Sequence, residues 1–419
     1  MLQLRSNSIT EELPAQLGNM TSLQELDLRE NNLEGSVPES IFNLPDIRNI
    51  LLLRNYKLGG TIPSSIDQAS NLEMLSFQKC QMTGTLPTTL GLLSNLFFIT
   101  FMDNRLSGII PPLVTQLPQL EVLELSGNQL QGPIPQFGLQ PELYFVSLFD
   151  NQLTGSIPVS LASLPGLYFL DVRDNLLTGT IPRIIGRLPE LVTFFAQNNQ
   201  LVGNLPSFSG NDGMLQSINL SNNKLSGNLN AFFDSDGPTS RLFNVDLSSN
   251  NFAGSIPPSI GSFDAIKDLV LEDNLLTGSI PIEIGDLKDM DTFVIRTNGL
   301  TGTLPEEIGF VESLMHLDVS FNSLNGTIPD TLIMLPELEI LDLESNQFGG
   351  SVPSSFSQLS NLDELYLNGN DILGDLSNTF CTTSQALGIF VSDCLGTEPD
   401  VTCSCCTTCC NDAGCQRNN

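Results

Sequence analysis

Eight of the nine cysteines fall in one short stretch, at Cys381, Cys394, Cys403, Cys405, Cys406, Cys409, Cys410 and Cys415. Thiols crowded in this way do one of two kinds of chemistry. They oxidise to disulfides, as the small cysteine modules of extracellular proteins do, or they hold a soft metal as thiolates, which the CxCCxxCC spacing also permits. The even count favours disulfides, and the pairing stays open because many connectivities fit one spacing. Cys80 stands apart, and at its position a buried free thiol is expected, which apolar surroundings keep unreactive.

Other reactive residues are sparse. The single histidine, His316, has Asp318 two residues on and Asp342 one repeat later. A His–Asp pair can orient a base, but no serine or cysteine is placed as its nucleophile. The plain alternative is a solvated polar residue on a strand. No glycine-rich phosphate loop follows a strand, so no catalytic residue, cofactor or resident metal is expected, and the chain reads as a non-enzyme. Three N-x-[ST] sequons, at Asn19, Asn219 and Asn325, are glycan acceptors if the chain is secreted. Such triplets also arise by chance where Asn and Ser are common.

What positions these residues is a repeat. Leu167–Glu190, LYFLDVRDNLLTGTIPRIIGRLPE, has a short alternating apolar segment, then Asn175, Gly179 and Pro182, then a last apolar turn. Its asparagine recurs as Asn7, Asn31, Asn55, Cys80, Asn104, Asn128, Asn151, Asn175, Asn199, Asn223, Asn250, Asn274, Asn298, Asn322, Asn346 and Asn370. Twelve of the fifteen successive spacings are 24, the others being 25, 23 and 27. A period of this size marks a solenoid, in which each turn's apolar patch is buried only by its neighbours. The spacing L-x-x-L-x-L-x-x-N-x-L resembles the leucine-rich repeat, and the continuation x-G-x-I-P-x-x-[IL]-x-x-L resembles its plant-type subclass. Cys in place of Asn is allowed by that pattern.

The resemblance implies an α/β solenoid, right-handed and curved, of about sixteen turns. A parallel sheet would line its concave face, with short 3-10 or loop segments on the convex one. At roughly 4.8 Å per strand the coil would be about 75 Å long. Residues 1–380 are assigned to it, with the first turn incomplete, and 381–419 to a cysteine-rich cap. Each ladder Asn is expected to satisfy turn backbone that would otherwise be buried unpaired. Extra residues at Asp234–Ser240 read as a surface loop. The tail VTCSCCTTCC, Val401–Cys410, resembles the endings of secreted leucine-rich-repeat proteins of diatoms and related algae.

Net charge is −31, from 16 Lys and Arg against 47 Asp and Glu. That field disfavours nucleic acid and anionic lipid as partners. No apolar run is long enough to span a membrane. Leu2 and Leu4 already occupy strand positions and no signal core precedes them, so an N-terminally truncated chain is expected.

The outward strand position reads Glu25, Asn49, Met74, Phe98, Val122, Phe145, Phe169, Thr193 and Ser217, apolar through its middle. Met102, Phe149 and Phe195 lie in adjacent columns, and Tyr144 and Tyr168 at the edge. Four phenylalanines at roughly 150 Å² each would present about 600 Å², a size at which a patch tends to be functional. The alternative is that the rings pack on one another. Further along, Asp318, Glu339, Asp342, Glu344 and Glu364 make the same face acidic. The resemblance implies an extracellular or cell-surface recognition module that binds a protein, peptide or glycan on its concave face. A receptor ectodomain, a soluble inhibitor and an ectodomain fragment of a receptor-like kinase all fit. Thr83-Gly84-Thr85, Thr178-Gly179-Thr180 and Thr301-Gly302-Thr303 resemble the hydroxyl arrays of ice-binding solenoids, so adsorption to ice or mineral is the alternative.

Overall fold

The computed structural model describes residues 1–208, 211, 213–233, 241–381, 387–395, 401–411 and 414–417. The added loop Asp234–Ser240 lies outside them. The chain divides into two compact units, Met1–Val202 and Gly203–Asn419.

In the first unit a parallel sheet runs through Leu2–Gln3, Glu25–Asp27, Asn49–Leu51, Met74–Ser76, Phe98–Thr100, Val122–Glu124, Phe145–Ser147, Phe169–Asp171 and Thr193–Phe195. The central residue of each strand points inward because side chains alternate. Leu26, Ile50, Leu75, Ile99, Leu123, Leu170 and Phe194 are accordingly fully buried. The second unit repeats the plan from Ser217–Asn219 to Glu364–Tyr366.

The expected ladder is present. Asn104 Oδ1 accepts the Met82 N–H at 2.9 Å, while Nδ2 donates to the carbonyls of Phe77 (2.8 Å) and Phe101 (2.9 Å). One side chain thus ties two neighbouring turns together. The residue just before takes a left-handed conformation, as at Asp103 (φ 55°), Asp174 (φ 54°) and Phe321 (φ 52°). Asp suits that conformation and a bulky aromatic does not. Cys80 holds the ladder position with its thiol facing the Leu52 carbonyl at 3.4 Å, and burial pushes it up to about 11.

The helical layer is mostly single 3-10 turns such as Ser64–Gln68 and Glu306–Phe310, these two entered through Pro63 and Pro305, with an α-helical turn at Glu39–Phe42. Segments of five residues or fewer are too short to hold a stable α-helix by themselves. Turns stack closely, and a Cβ at Gly309 would fall on the Thr331 carbonyl.

A second set of strands forms in the Leu-Thr-Gly-Thr segments, where turn residues had pointed to loops. In the first unit these are Glu34–Ser36, Lys57–Thr61, Gln81–Thr85, Arg105–Gly108, Gln129–Pro133 and Gln152–Thr154. Neighbours are offset by two residues, so Thr83 lies between Thr61 and Arg105. The hydroxyl rows are therefore mixed with charged and amide side chains.

The cysteine segment carries the sheet onward. Ile389–Ser392 pairs in parallel with Glu364–Tyr366, Thr408–Asn411 follows, and Gly414–Arg417 closes the edge antiparallel. Phe390 is buried against Phe380 in an edge-to-face contact at 5.0 Å. The eight cysteines form four disulfides: Cys381–Cys405, Cys394–Cys409, Cys403–Cys406 and Cys410–Cys415. The sulfurs of Cys381, Cys403 and Cys405 lie within 4.8 Å of one another where two of these bonds meet.

Two outcomes follow from this packing. Asn104→Ala should lower unfolding free energy by about 1–3 kcal/mol in urea melts, because it strands buried backbone groups. Reduction should expose the backbone amides of Ile389–Ser392 and Thr408–Asn411 to hydrogen exchange before those of Asp268–Val270, since each turn is held by its neighbours. Uniform loss of protection would contradict the second expectation.

Candidate ligand-binding face

Strand register turns residues about 24 apart in sequence into side-by-side neighbours. In the first unit the first outward column reads Met74, Phe98, Val122, Phe145, Phe169 and Thr193 in unbroken register. Phe145 and Phe169 stack with centroids 4.6 Å apart and planes 5° from parallel. Phe195 meets Phe169 edge-on at 6.2 Å. The rings are half-buried by this packing, so the patch presents ring edges and less area than the expected 600 Å². The most exposed aromatics are Tyr144 (44 %) and Tyr168 (48 %) along the edge. Met102 and Phe149 lie on the other side, half-buried.

Arg173 is a site residue that the sequence reading passed over. Its guanidinium sits 4.4 Å from the Phe149 centroid and 5.7 Å from that of Phe195. Arg173 also lies 3.5 Å from Asp171 and 3.7 Å from Asp174. The signal was its place beside a ladder asparagine, in the same column as Met102 and Phe149.

Between the apolar columns runs a polar row: Ser76, Thr100, Glu124, Ser147 and Asp171. Burial pushes Asp171 up to about 6, against the opposing hydrogen bond and charge of Arg173. Burial also raises Glu124, which the hydrogen bond from Thr100 Oγ1 at 2.8 Å opposes and the Asp103 charge reinforces.

In the second unit the face is polar and acidic, as the sequence implied. Asp318 is buried and its Oδ1 accepts from Ser320 N–H (2.9 Å) and Oγ–H (2.6 Å). Asp342 pairs in register with Asp318, Glu344 is half-buried, Glu339 exposed, and Glu364 accepts from Tyr366 O–H at 2.8 Å. His316 is half-buried on this face, with Thr292 and Ile340 as strand neighbours. Of the sequons, Asn19 and Asn325 are exposed. Asn219 is half-buried, donating through Nδ2 to Asp246 at 2.8 Å and accepting through Oδ1 from Ser221.

Asp342 gives a pH test. Desolvation first, then the Asp318 charge, pushes its carboxyl from 3.8 to about 7. The folded state therefore binds this proton more tightly than the unfolded chain. The stability so contributed is full below about pH 4 and is lost as pH rises through about 7. Asp342→Asn keeps the oxygen that accepts the Glu344 N–H, which is 2.9 Å away in the parent. It should melt higher than the parent at about pH 8 and together with it at about pH 4. An equal offset at both would mean the carboxylate is ionised throughout.

Leucine-rich-repeat family models match residues 309–372, 22–44, 119–138, 214–235 and 241–263. No curated protein matches the chain. Among solved structures, it is similar to the leucine-rich-repeat ectodomain of the plant membrane receptor kinase GASSHO1/SCHENGEN3 from Arabidopsis thaliana, in complex with CASPARIAN STRIP INTEGRITY FACTOR 2. Identity is 34%, the TM-score 0.83, and the match covers 89% of this chain and 44% of that one. The ectodomain of the Arabidopsis receptor kinase HAESA, with an N-terminally extended IDA peptide hormone, is 31% identical at a TM-score of 0.83, over 89% and 62%. The plant peptide hormone receptor RGFR1, in complex with RGF2, is 30% identical at 0.65, over 89% and 72%. The chain thus spans less than two thirds of the length of the first two. No helix among the described residues is long and apolar enough to cross a membrane.

Proposed function

The chain belongs to the leucine-rich-repeat family, and on that premise we propose that it is an extracellular, non-catalytic recognition module whose first-unit sheet face captures an extended peptide segment. The observation that carries this is the registered ladder of Phe98, Phe145, Phe169 and Phe195, flanked by the exposed Tyr144 and Tyr168. Aromatic side chains on a rigid sheet are strong anchors, since they bury much area at little entropic cost. Structural neighbours solved with peptide hormones support a peptide over a glycan.

The x-G-x-I-P continuation of each repeat argues for the plant-type subclass, and the tail resemblance for a secreted algal-type protein. Both bring the chain to the cell exterior, where four disulfides persist and Asn19 and Asn325 are open to glycan addition. The same module serves a receptor ectodomain or a soluble inhibitor. Adsorption to ice or mineral asks for stacked identical hydroxyls, and the two-residue offset at Thr83 and Arg105 works against that.

The test is the double variant Phe145→Ser/Phe169→Ser, with a phage-displayed random peptide library as probe. The parent should capture peptides and the variant should lose them, each anchor accounting for about 2 kcal/mol or more. Its melting temperature should fall far less than that of Leu170→Ala, which empties a core site at about 2–5 kcal/mol. A double variant that melts early and still binds overturns the assignment.

A further inference from the structure

We propose that Glu124 sets the specificity of this face by pairing with a basic side chain, Lys or Arg, of the captured peptide; the inference rests on the peptide reading above. Several other acids of the first unit are paired locally. Asp27, Glu30, Glu73, Asp103, Asp171 and Asp174 each have an Arg or Lys within 3.9 Å. Glu124 has none among the described residues, and the only charge that bears on it is the like charge of Asp103. It lies in the middle of the aromatic patch, between strands that carry Phe98 and Phe145.

Glu124 is half-buried, and only its Oε2 is engaged, by Thr100. A carboxylate has lone pairs for several donors. Half-buried without a counter-ion, it is costly, and an arriving cation removes that cost. Low local polarity also makes the resulting pair strong and its loss severe. Neutral sugar hydroxyls would not supply the charge.

The floor beside Glu124 is closed. Ser126, two residues beyond Glu124, is fully buried, and its Oγ has no hydrogen-bond partner. Its neighbours in the ladder are Met102 and Phe149, through Asp103 N–H to Ser126 O and Gly127 N–H to Phe149 O. Ser76 Oγ, beside Thr100 in the polar row, is buried and unpartnered as well. Both side chains are closed off from solvent, so they shape the floor of the polar row and offer no contact to a ligand. The arrangement is one carboxylate without a counter-ion in a polar row, with apolar columns beside it for the long stem of Lys or Arg. The rings of Phe149 and Phe195 are already engaged by Arg173. Glu124, between the strands that carry Phe98 and Phe145, is the carboxylate in the middle of this patch.

The experiment selects a phage-displayed random dodecapeptide library on the intact chain and resynthesises the captured peptides. Peptides taken by the parent should carry Lys or Arg next to an aromatic or aliphatic residue. Exchanging that Lys for norleucine should weaken binding to the parent about tenfold or more. Glu124→Gln should bind the Lys peptide as weakly, and norleucine should cost it nothing further, as coupled partners require. No preference for basic residues, or a norleucine penalty undiminished in Glu124→Gln, overturns this inference alone. The peptide reading is judged separately by the Phe145/Phe169 variant. A parent that captures no peptide overturns both.

Discussion

The structure depends on the hydrogen bonds of a buried amide. Every turn leaves the strand through a left-handed residue, and the carbonyls on either side of that bend face the core instead of water. An unpaired buried carbonyl or N–H costs about as much as a hydrogen bond. The ladder asparagine meets three such groups at once, as Asn175 does for Leu153 N–H and the Leu148 and Val172 carbonyls. A shorter side chain would not reach, and a carboxylate could not donate. This is why the asparagine recurs while the residue before it varies from Asp to Phe. Cys80 is the exception that shows the requirement: its thiol reaches one carbonyl well and a second only at 3.8 Å.

Register fixed in this way has a consequence for the surface. The same repeat position from successive turns must lie side by side, at about 4.8 Å. A compositional bias too weak to notice in linear sequence becomes a contiguous strip. Phenylalanine at Phe145 and Phe169 becomes a stacked pair, and small hydroxyls at Ser76, Thr100 and Ser147 become a polar row. The period therefore determines the core and composes the binding face as well.

The same reasoning explains which features were legible beforehand. Core leucines, the ladder, the aromatic column and the acidic face each depend on one repeat position, and the sequence displays those positions directly. The second sheet escaped because Thr-Gly-Thr reads as turn chemistry, while backbone pairing with the next turn makes it a strand. The half-burial of the rings escaped because it depends on rotamers that no spacing encodes. Disulfide partners were open, since Cys403–Cys406 and Cys381–Cys405 interleave in a segment without period. Arg173 and Glu124 are the instructive cases. Each is an ordinary charged residue by itself, and what separates them is that Arg173 has Asp171 within reach while Glu124 has no counter-ion.

Charge acts on this molecule at two ranges. A net −31 attracts cationic ligands over a Debye length or so, speeds their arrival, and does not distinguish among them. Discrimination needs a short-range difference between right and wrong partners. Exposed acids such as Glu30 already share arginines and remain hydrated, so replacing one cation by another changes little. The half-buried carboxylate of Glu124, on the strand between those of Phe98 and Phe145, is different. Its charge is poorly solvated, and a partner that fails to neutralise it must leave it so, at a cost far above that of losing a surface pair. The strongly acidic chain can thus be selective for one basic group because one acid, placed among the aromatic rings, is kept from the arginines that neutralise its neighbours.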